Sequence, residues 1–348
     1  MSGIDVGVFL PSMSTRDFVP GDVAAAAHHA ESLGFESVWV VDQLIAGTGV
    51  PVIDSFIVLA AAAGATSTIK LGFGVLIAPL RAPVWIAKQV ASLQHVSRDR
   101  LLLGVGVGGD RHEASWSAAG VPRRERGRRI DELLRVLPDL LAGKAVALEE
   151  PGTELVLSPA VTMPPILVGG MSDAAMRRAA DFADGWMLVP IPPADAAKAI
   201  TGIRRLAGRR GRTPPSVTAS VMVAIDGDPA MPEDDALLHL LTDIDGVYGM
   251  PLQHAESTLL RGGPDVIASR IADFAAVGAE RIVVTFVAGD WHRQAELLNE
   301  ARQLVEGHRS DESVGVSDEG VSCTSVGFPP SLASARRRSR ERRSGCRA

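Results

Sequence analysis

Eight short apolar runs, rich in β-branched residues, recur along the chain with helix-like stretches between them. They lie at residues 5–10, 37–41, 70–78, 100–107, 165–169, 185–189, 217–225 and 281–287. Runs that are apolar throughout, rather than alternating, read as strands covered on both faces, as parallel sheets require. The stretch 83–96 opens with proline and sets Ile86, Val90 and Leu93 on one helical face; 128–141 does the same with Ile130, Leu133, Leu134 and Leu137. The stretch 172–183 opens with Ser172 and Asp173, residues suited to a helix start. Eight strands each followed by a helix predict an α/β fold, a (β/α)8 TIM-like barrel, with a doubly wound open sheet as the competing arrangement. The less periodic stretches 145–161, 190–215 and 232–260 are the expected insertions and the source of pocket walls. In such a barrel, chemistry sits where strands end and the following loops begin.

Charge separates a body from a tail. Residues 308–348 hold eight arginines against five acids, about +3, which leaves about −9 on residues 1–307. The expected organisation is therefore one barrel domain, 1–307, followed by a disordered Ser/Arg-rich tail, 308–348. An acidic body argues against a nucleic-acid surface, which needs a basic stripe. No run of about 18 apolar residues lacks glycine or charge, so no membrane span is expected. The start, MSGIDVGVFLP, reads as a strand rather than a leader, and a cytoplasmic location is the expectation. Both cysteines, Cys323 and Cys346, fall in the tail, and no His/Cys cluster has metal-ligand spacing, so no metal is expected.

LLLGVGVGGDRHEASW contains G-x-G-x-x-G at Gly104, Gly106 and Gly109. In a dinucleotide fold a helix starts inside that fingerprint. Here a polar, irregular stretch of about twenty residues follows, and a convincing helix is expected only after Pro122. The glycines read better as a barrel strand end where a flat ligand approaches the backbone, or as relief of crowding inside the barrel.

Three blocks then stand out together: LGFGVLIAPLRAPVWIAKQVASLQHVSRDRLLLGVGVG, PPILVGGMSDAAMRRAADFADGW and GGPDVIASRIADFAAVGAERIVV. With VGVFLP, LGFESVWVVDQ and GVPRRERGRRIDELL they resemble, in order, the bacterial luciferase-like superfamily, especially its deazaflavin-dependent oxidoreductases. The resemblance covers about residues 5–306 and implies a barrel that binds coenzyme F420, or alternatively FMN, at the C-terminal ends of its strands. It places Asp42 near the polar edge of the ring. It matches Gly74–Val75 to a position where the family commonly has a non-prolyl cis peptide backing the ring. It sets Gly106, Val107 and Gly108 beside the ring, and Gly169, Gly170 and Met171 at the cofactor phosphate. Glycines before a helix N-terminus are also a physically sound anion site, or simply a tight turn.

The chain departs from that pattern at two places. Many hydride-transferring relatives carry His after the second-strand Asp; here it is Gln43, which hydrogen-bonds but is no general base near neutral pH. After the fourth-strand glycines come Asp110, His112 and Glu113, of which His112 and Glu113 are candidates to reach over the ring. The expected function is hydride transfer between deazaflavin C5 and a small organic substrate. The alternatives are an FMN-dependent monooxygenase served by a separate flavin reductase, and a non-catalytic flavin-binding barrel. A homodimer is the expected assembly. The five tryptophans are expected mostly in the core, with Trp186 a possible wall of the cofactor site.

Overall fold

The computed structural model describes residues 4–13, 21–109, 113–147 and 154–314. Eight parallel strands, β1 (Asp5–Phe9), β2 (Ser37–Val40), β3 (Lys70–Phe73), β4 (Leu101–Gly106), β5 (Ile166–Gly169), β6 (Gly185–Leu188), β7 (Ser216–Ile225) and β8 (Arg281–Phe286), each pair with the next. β8 returns to β1, with Val8 opposite Val284, and the barrel closes. The (β/α)8 barrel anticipated from the strand count is the observed fold. Its outer ring is α1 (Val23–Ser32), α2 (Ser55–Ala65), α3 (Pro83–Ser97), α4 (Arg126–Leu141), α5 (Asp173–Phe182), α6 (Pro193–Gly208), α7 (Pro264–Ala276) and α8 (Trp291–Val314). The helix starts follow local chemistry. The Asp22 and Asp54 carboxylates accept first-turn N–H groups of α1 and α2, and proline opens α3, α6 and α7.

The main core lies between the strands and the helix ring. A separate cluster fills the lumen: Phe9, Trp39, Leu102, Leu167, Met187 and Val283. Trp39 is wholly buried, and it fits because two inward-facing positions are glycine. A Cβ at Gly7 or Gly72 would run into the indole. Below it Arg281 donates to both Glu36 oxygens, at 2.8 and 2.9 Å, and lies over the Trp39 ring. Burial opposes the Glu36 charge, but the Arg281 hydrogen bonds outweigh it and hold the carboxyl below its usual range. The lumen is thus stopped at its N-terminal end and open only at the other.

Several expectations change. The run 70–78 is not one strand: β3 ends at Phe73, the Gly74–Val75 peptide is cis, and Leu76–Ile77 resumes pairing beside Val105 and Gly106. The stretch 190–215 is not an insertion. It holds α6, whose buried stripe is Ala196, Ile200, Ile203 and Ala207, so alanine supplies half of the apolar face. Residues 113–118 form a short helix inside the stretch expected to be irregular; it buries Trp116 against Ile77 and Val121. The segment 145–161 contributes a small antiparallel pair, Val146–Ala147 with Glu154–Leu155, and 232–260 contributes the helices Asp234–Thr242 and Leu252–Thr258. Trp39, Trp116 and Trp186 are buried, but Trp85 is 67% exposed on α3. Helix α8 runs to Val314, past the expected domain end at 307, and the tail from 315, with both cysteines, lies outside the described residues. Among the described residues no helix is long and apolar enough to cross a membrane.

Candidate active site at the C-terminal rim

A cavity of about 470 Å³ opens at the C-terminal ends of the strands. Its floor is Phe9, Gly74, Val75, Gly106, Gly169 and Met187; its upper wall includes Met13, Val189, Val247, Tyr248 and Met250. That volume is within the ordinary range for a small-molecule or cofactor site. The floor is shaped by Val75. After the cis peptide its side chain turns into the lumen, where a Cβ at Gly106 would lie 2.6 Å from it and one at Gly169 2.7 Å. Gly104 is tighter still, because a Cβ there would strike the Phe73 carbonyl. These glycines therefore relieve crowding first. The cavity exists because they let the bulge sink into the barrel. Gly74 itself faces the Phe9 ring and Met187, so a flat group resting on the floor meets backbone and small apolar surface.

Asp42 is 4% exposed and spends its carboxylate on the protein. Oδ1 accepts from Ser55 Oγ at 2.7 Å and Arg81 Nη2 at 2.9 Å; Oδ2 accepts from Ile77 N at 2.8 Å and Arg81 Nη1 at 2.7 Å. Four bonds use the acceptor sites a carboxylate offers. Asp42 lines the cavity wall, as the second-strand end should, but its carboxylate braces the segment after the bulge rather than reaching into the space. Burial works against the Arg81 charge, yet the hydrogen-bonded Asp42, with Asp54 behind it, holds that guanidinium's pKa above its usual value.

Gln43, Val107 and Gly108 also line the cavity. Gln43 is half-buried, and its amide makes no hydrogen bond to any described residue. Gly170 has φ +105° and Gly108 φ +72°, left-handed values that glycine tolerates. Trp186 Nε1 donates to the Gly170 carbonyl at 2.9 Å, so this tryptophan steadies the β5–α5 turn from the core side instead of walling the cavity. Met171 packs against the main core. Glu113 is not brought to the cavity: its side chain is 75% exposed, 3.6 Å from Arg123. His112 lies outside the described residues.

Sequence reasoning placed an anion site at the start of α5 but missed the arginines that line it. A groove of about 510 Å³ runs along the start of α5, lined by Val107, Arg123, Arg124, Arg126, Ser172 and Arg178. Val107 belongs to both hollows, so the groove adjoins the deep cavity. Ser172 caps α5 by accepting from Ala175 N at 3.2 Å, and the positive end of the helix faces the same space. Four guanidinium groups, with Arg123 near Glu113 and Arg178 paired to Asp131, give the groove a positive lining suited to an anion. The signal was the run RRERGRR, visible in the sequence but assigned no partner.

Comparison with known proteins bears on these hollows. An uncharacterized protein of Mycobacterium tuberculosis is 38% identical over 173 residues, which is 48% of this chain and 58% of that protein. The match thus spans less than two thirds of that relative's length. An F420-dependent secondary alcohol dehydrogenase, solved with an F420–acetone adduct, superposes with a TM-score of 0.73 at 18% identity, covering 87% of this chain and 99% of its own. A riboflavin lyase, solved with modified FMN and riboflavin, superposes at 0.67 with 16% identity, covering 92% and 94%. At such identities the superpositions establish the shared fold. The model of the luciferase-like monooxygenase family matches residues 4–305, essentially the whole barrel, and the chain belongs to that family.

Proposed function

We propose that this chain is an oxidoreductase that binds coenzyme F420 and serves hydride transfer between deazaflavin C5 and a small organic substrate. The observation that carries the reading is the junction at Val107 of an apolar, glycine-floored cavity with a four-arginine groove. A tricyclic ring suits the first, and a chain bearing several negative charges suits the second. F420 has a phosphate and a glutamyl tail, whereas FMN has a single phosphate, so the excess of guanidinium groups favours the deazaflavin. The F420-dependent alcohol dehydrogenase of the same fold supports the assignment.

The bound deazaflavin supplies the hydride chemistry; the protein supplies position and dryness. Val75 and Gly74 form the floor against which the ring would lie. The α5 N-terminus, with Arg123, Arg124 and Arg126, would hold the anionic chain, and Gly170 lies at the edge of the cavity beside it. The apolar walls exclude water from the space above the ring. Gln43 offers a neutral hydrogen bond where relatives offer an imidazole. A second reading, an FMN-dependent monooxygenase fed by a flavin reductase, is supported by the family's description and by the riboflavin lyase of the same fold. A homodimer in solution is the assembly we propose for either.

The test is a fluorescence titration of the full chain with F420, its tail-less chromophore, FMN and riboflavin, repeated on Arg124→Glu. F420 should bind tightest, and the charge reversal should weaken F420 at least tenfold while leaving the tail-less chromophore unchanged. FMN binding more tightly than F420 would move the assignment to the monooxygenase.

A further inference from the structure

Tyr248 is the chain's only tyrosine. It sits on the segment 243–250, which spans the mouth of the cavity between two short helices, and its side chain is one of the cavity walls. The segment is held from two sides. Met250 N donates to Leu241 O at 2.8 Å, and Thr48 N, from the loop after β2, donates to Asp245 O at 3.0 Å. Thr48 Oγ1 adds a bond to Asp245 Oδ1 at 3.1 Å, and Gly47, at φ +48°, lies so close that a Cβ would stand 2.7 Å from the carbonyls of Asp245 and Gly246. The phenol is thus placed by a clasped cap rather than by a bond of its own. Its hydroxyl has no hydrogen-bond partner among the described residues, and burial pushes its pKa up to about 12. At any ordinary pH it stays protonated, a neutral donor in the cavity wall from which no described residue accepts.

Among the described residues the rest of the lining offers no available charge. Asp42 is consumed by Arg81, Ser55 and Ile77. The other polar side chains in the lining, Gln43, Ser220 and Thr285, are neutral. The walls they interrupt are Phe9, Met187, Met222 and Met250, thioether-rich surface that adapts to varied apolar shapes. A carboxylate or phosphate held between these apolar walls, away from the adjoining arginine groove, would lose its hydration with no cation among the described lining residues to meet it.

We infer that Tyr248 is a specificity-determining residue: its hydroxyl donates to a carbonyl- or imine-type acceptor of an uncharged, largely apolar substrate held between the cap and the cavity floor. This rests on the cavity being the substrate site of the proposed oxidoreductase.

A single tyrosine makes the inference directly measurable. The full chain is prepared with tyrosine carrying ¹³C at Cζ, so one resonance reports on one hydroxyl. It is titrated with acetophenone and 2-cyclohexen-1-one, and with benzoate as a charged probe of similar size, with and without F420, whose own fluorescence is followed in parallel. A neutral ketone should move the resonance saturably, and benzoate should not. Tyr248→Phe should bind the ketone roughly five-fold more weakly, the size of one neutral hydrogen bond, with F420 affinity unchanged. Benzoate acting like the ketones, or neither ketone shifting the resonance, would overturn the inference. So would ketone binding that Tyr248→Phe leaves unaltered. Loss of F420 binding with the ketone response intact would remove the cofactor assignment and leave Tyr248 in its role.

Discussion

Arg81 meets Asp42 with both nitrogens of its fork, Nη1 to Oδ2 at 2.7 Å and Nη2 to Oδ1 at 2.9 Å, and the same carboxylate takes the Ile77 N–H just beyond the bulge. The pair couples the end of β2 to the segment that shapes the cavity floor. Removing one partner leaves the other desolvated and unmatched. Asp42→Ala should therefore cost about 3 kcal/mol, the low end for a broken buried pair because Arg81 keeps some exposure. Urea denaturation checks the cost, and F420 titration should show weakened binding at concentrations where the variant is still folded. A variant within ~0.5 kcal/mol of the parent, the scatter of ordinary surface changes, would mean the pair does not carry the bulge.

Gly106→Ala should damage the floor by pushing Val75 upward. The added Cβ would lie 2.6 Å from Val75 Cγ2, and overpacking of this kind costs roughly 1–3 kcal/mol. Ring binding should fall more than stability does. The double variant Gly106→Ala/Val75→Ala should recover binding, because the methyl groups in conflict are gone. Failure of that rescue would show that Gly106 is needed for contact with the ligand itself.

Gly47→Ala should loosen the cap. The position combines φ +48° with backbone oxygens on two sides, so relief requires the 243–250 segment to move. Hydrogen exchange at Thr48 and Met250 should rise, and affinity for a neutral ketone should drop while F420 affinity holds. Unchanged protection at both amides would show that the clasp has another anchor.

Glu31 predicts a pH dependence on the opposite end of the molecule. Desolvation raises its pKa, but N–H groups of Ile69, Thr68 and Ser67 and the Thr68 hydroxyl outweigh that and hold it at about 2, against 4.5 for the free side chain. A depressed carboxyl pKa stabilises the fold fully above the unfolded value. That contribution is lost as pH falls from about 4.5 toward 2. The side chain keeps part of its hydration, and the contribution is on the order of 1 kcal/mol. Glu31→Gln should lower the melting temperature at neutral pH and lose that deficit near pH 2. A deficit that persists undiminished in acid would assign the effect to something other than the charge.

The barrel was legible in the sequence because its evidence is repetitive. Eight runs of Val, Ile and Leu each require cover on two faces, and only alternation with amphipathic helices provides it eight times. Helix α6 escaped because its stripe uses Ala196 and Ala207, which barely register as apolar beside Ile200 and Ile203. The break after Phe73 was foreshadowed by resemblance alone, since Gly74–Val75 carries no propensity signal of its own. The site residues divide in the same way. Gly106 was legible as a glycine at the end of a barrel strand, whereas Gln43 and Gly74 came from the resemblance. The spent carboxylate of Asp42 was not foreseeable, because its partners Ser55 and Arg81 are 13 and 39 residues away. Tyr248 was invisible for a related reason. It reaches the cavity from a cap whose place is set by the Thr48–Asp245 contact, almost two hundred residues apart in the chain.

Trp39 has a kinetic consequence. With the indole stopping the lumen and Arg281 closing the base beneath it, the site has no way through the barrel and is reached only from the C-terminal side. Whatever lies on the Gly74–Val75 floor must arrive before whatever lies on top of it, and must depart after it. A guest on the floor is thereby shut in for as long as another sits above it.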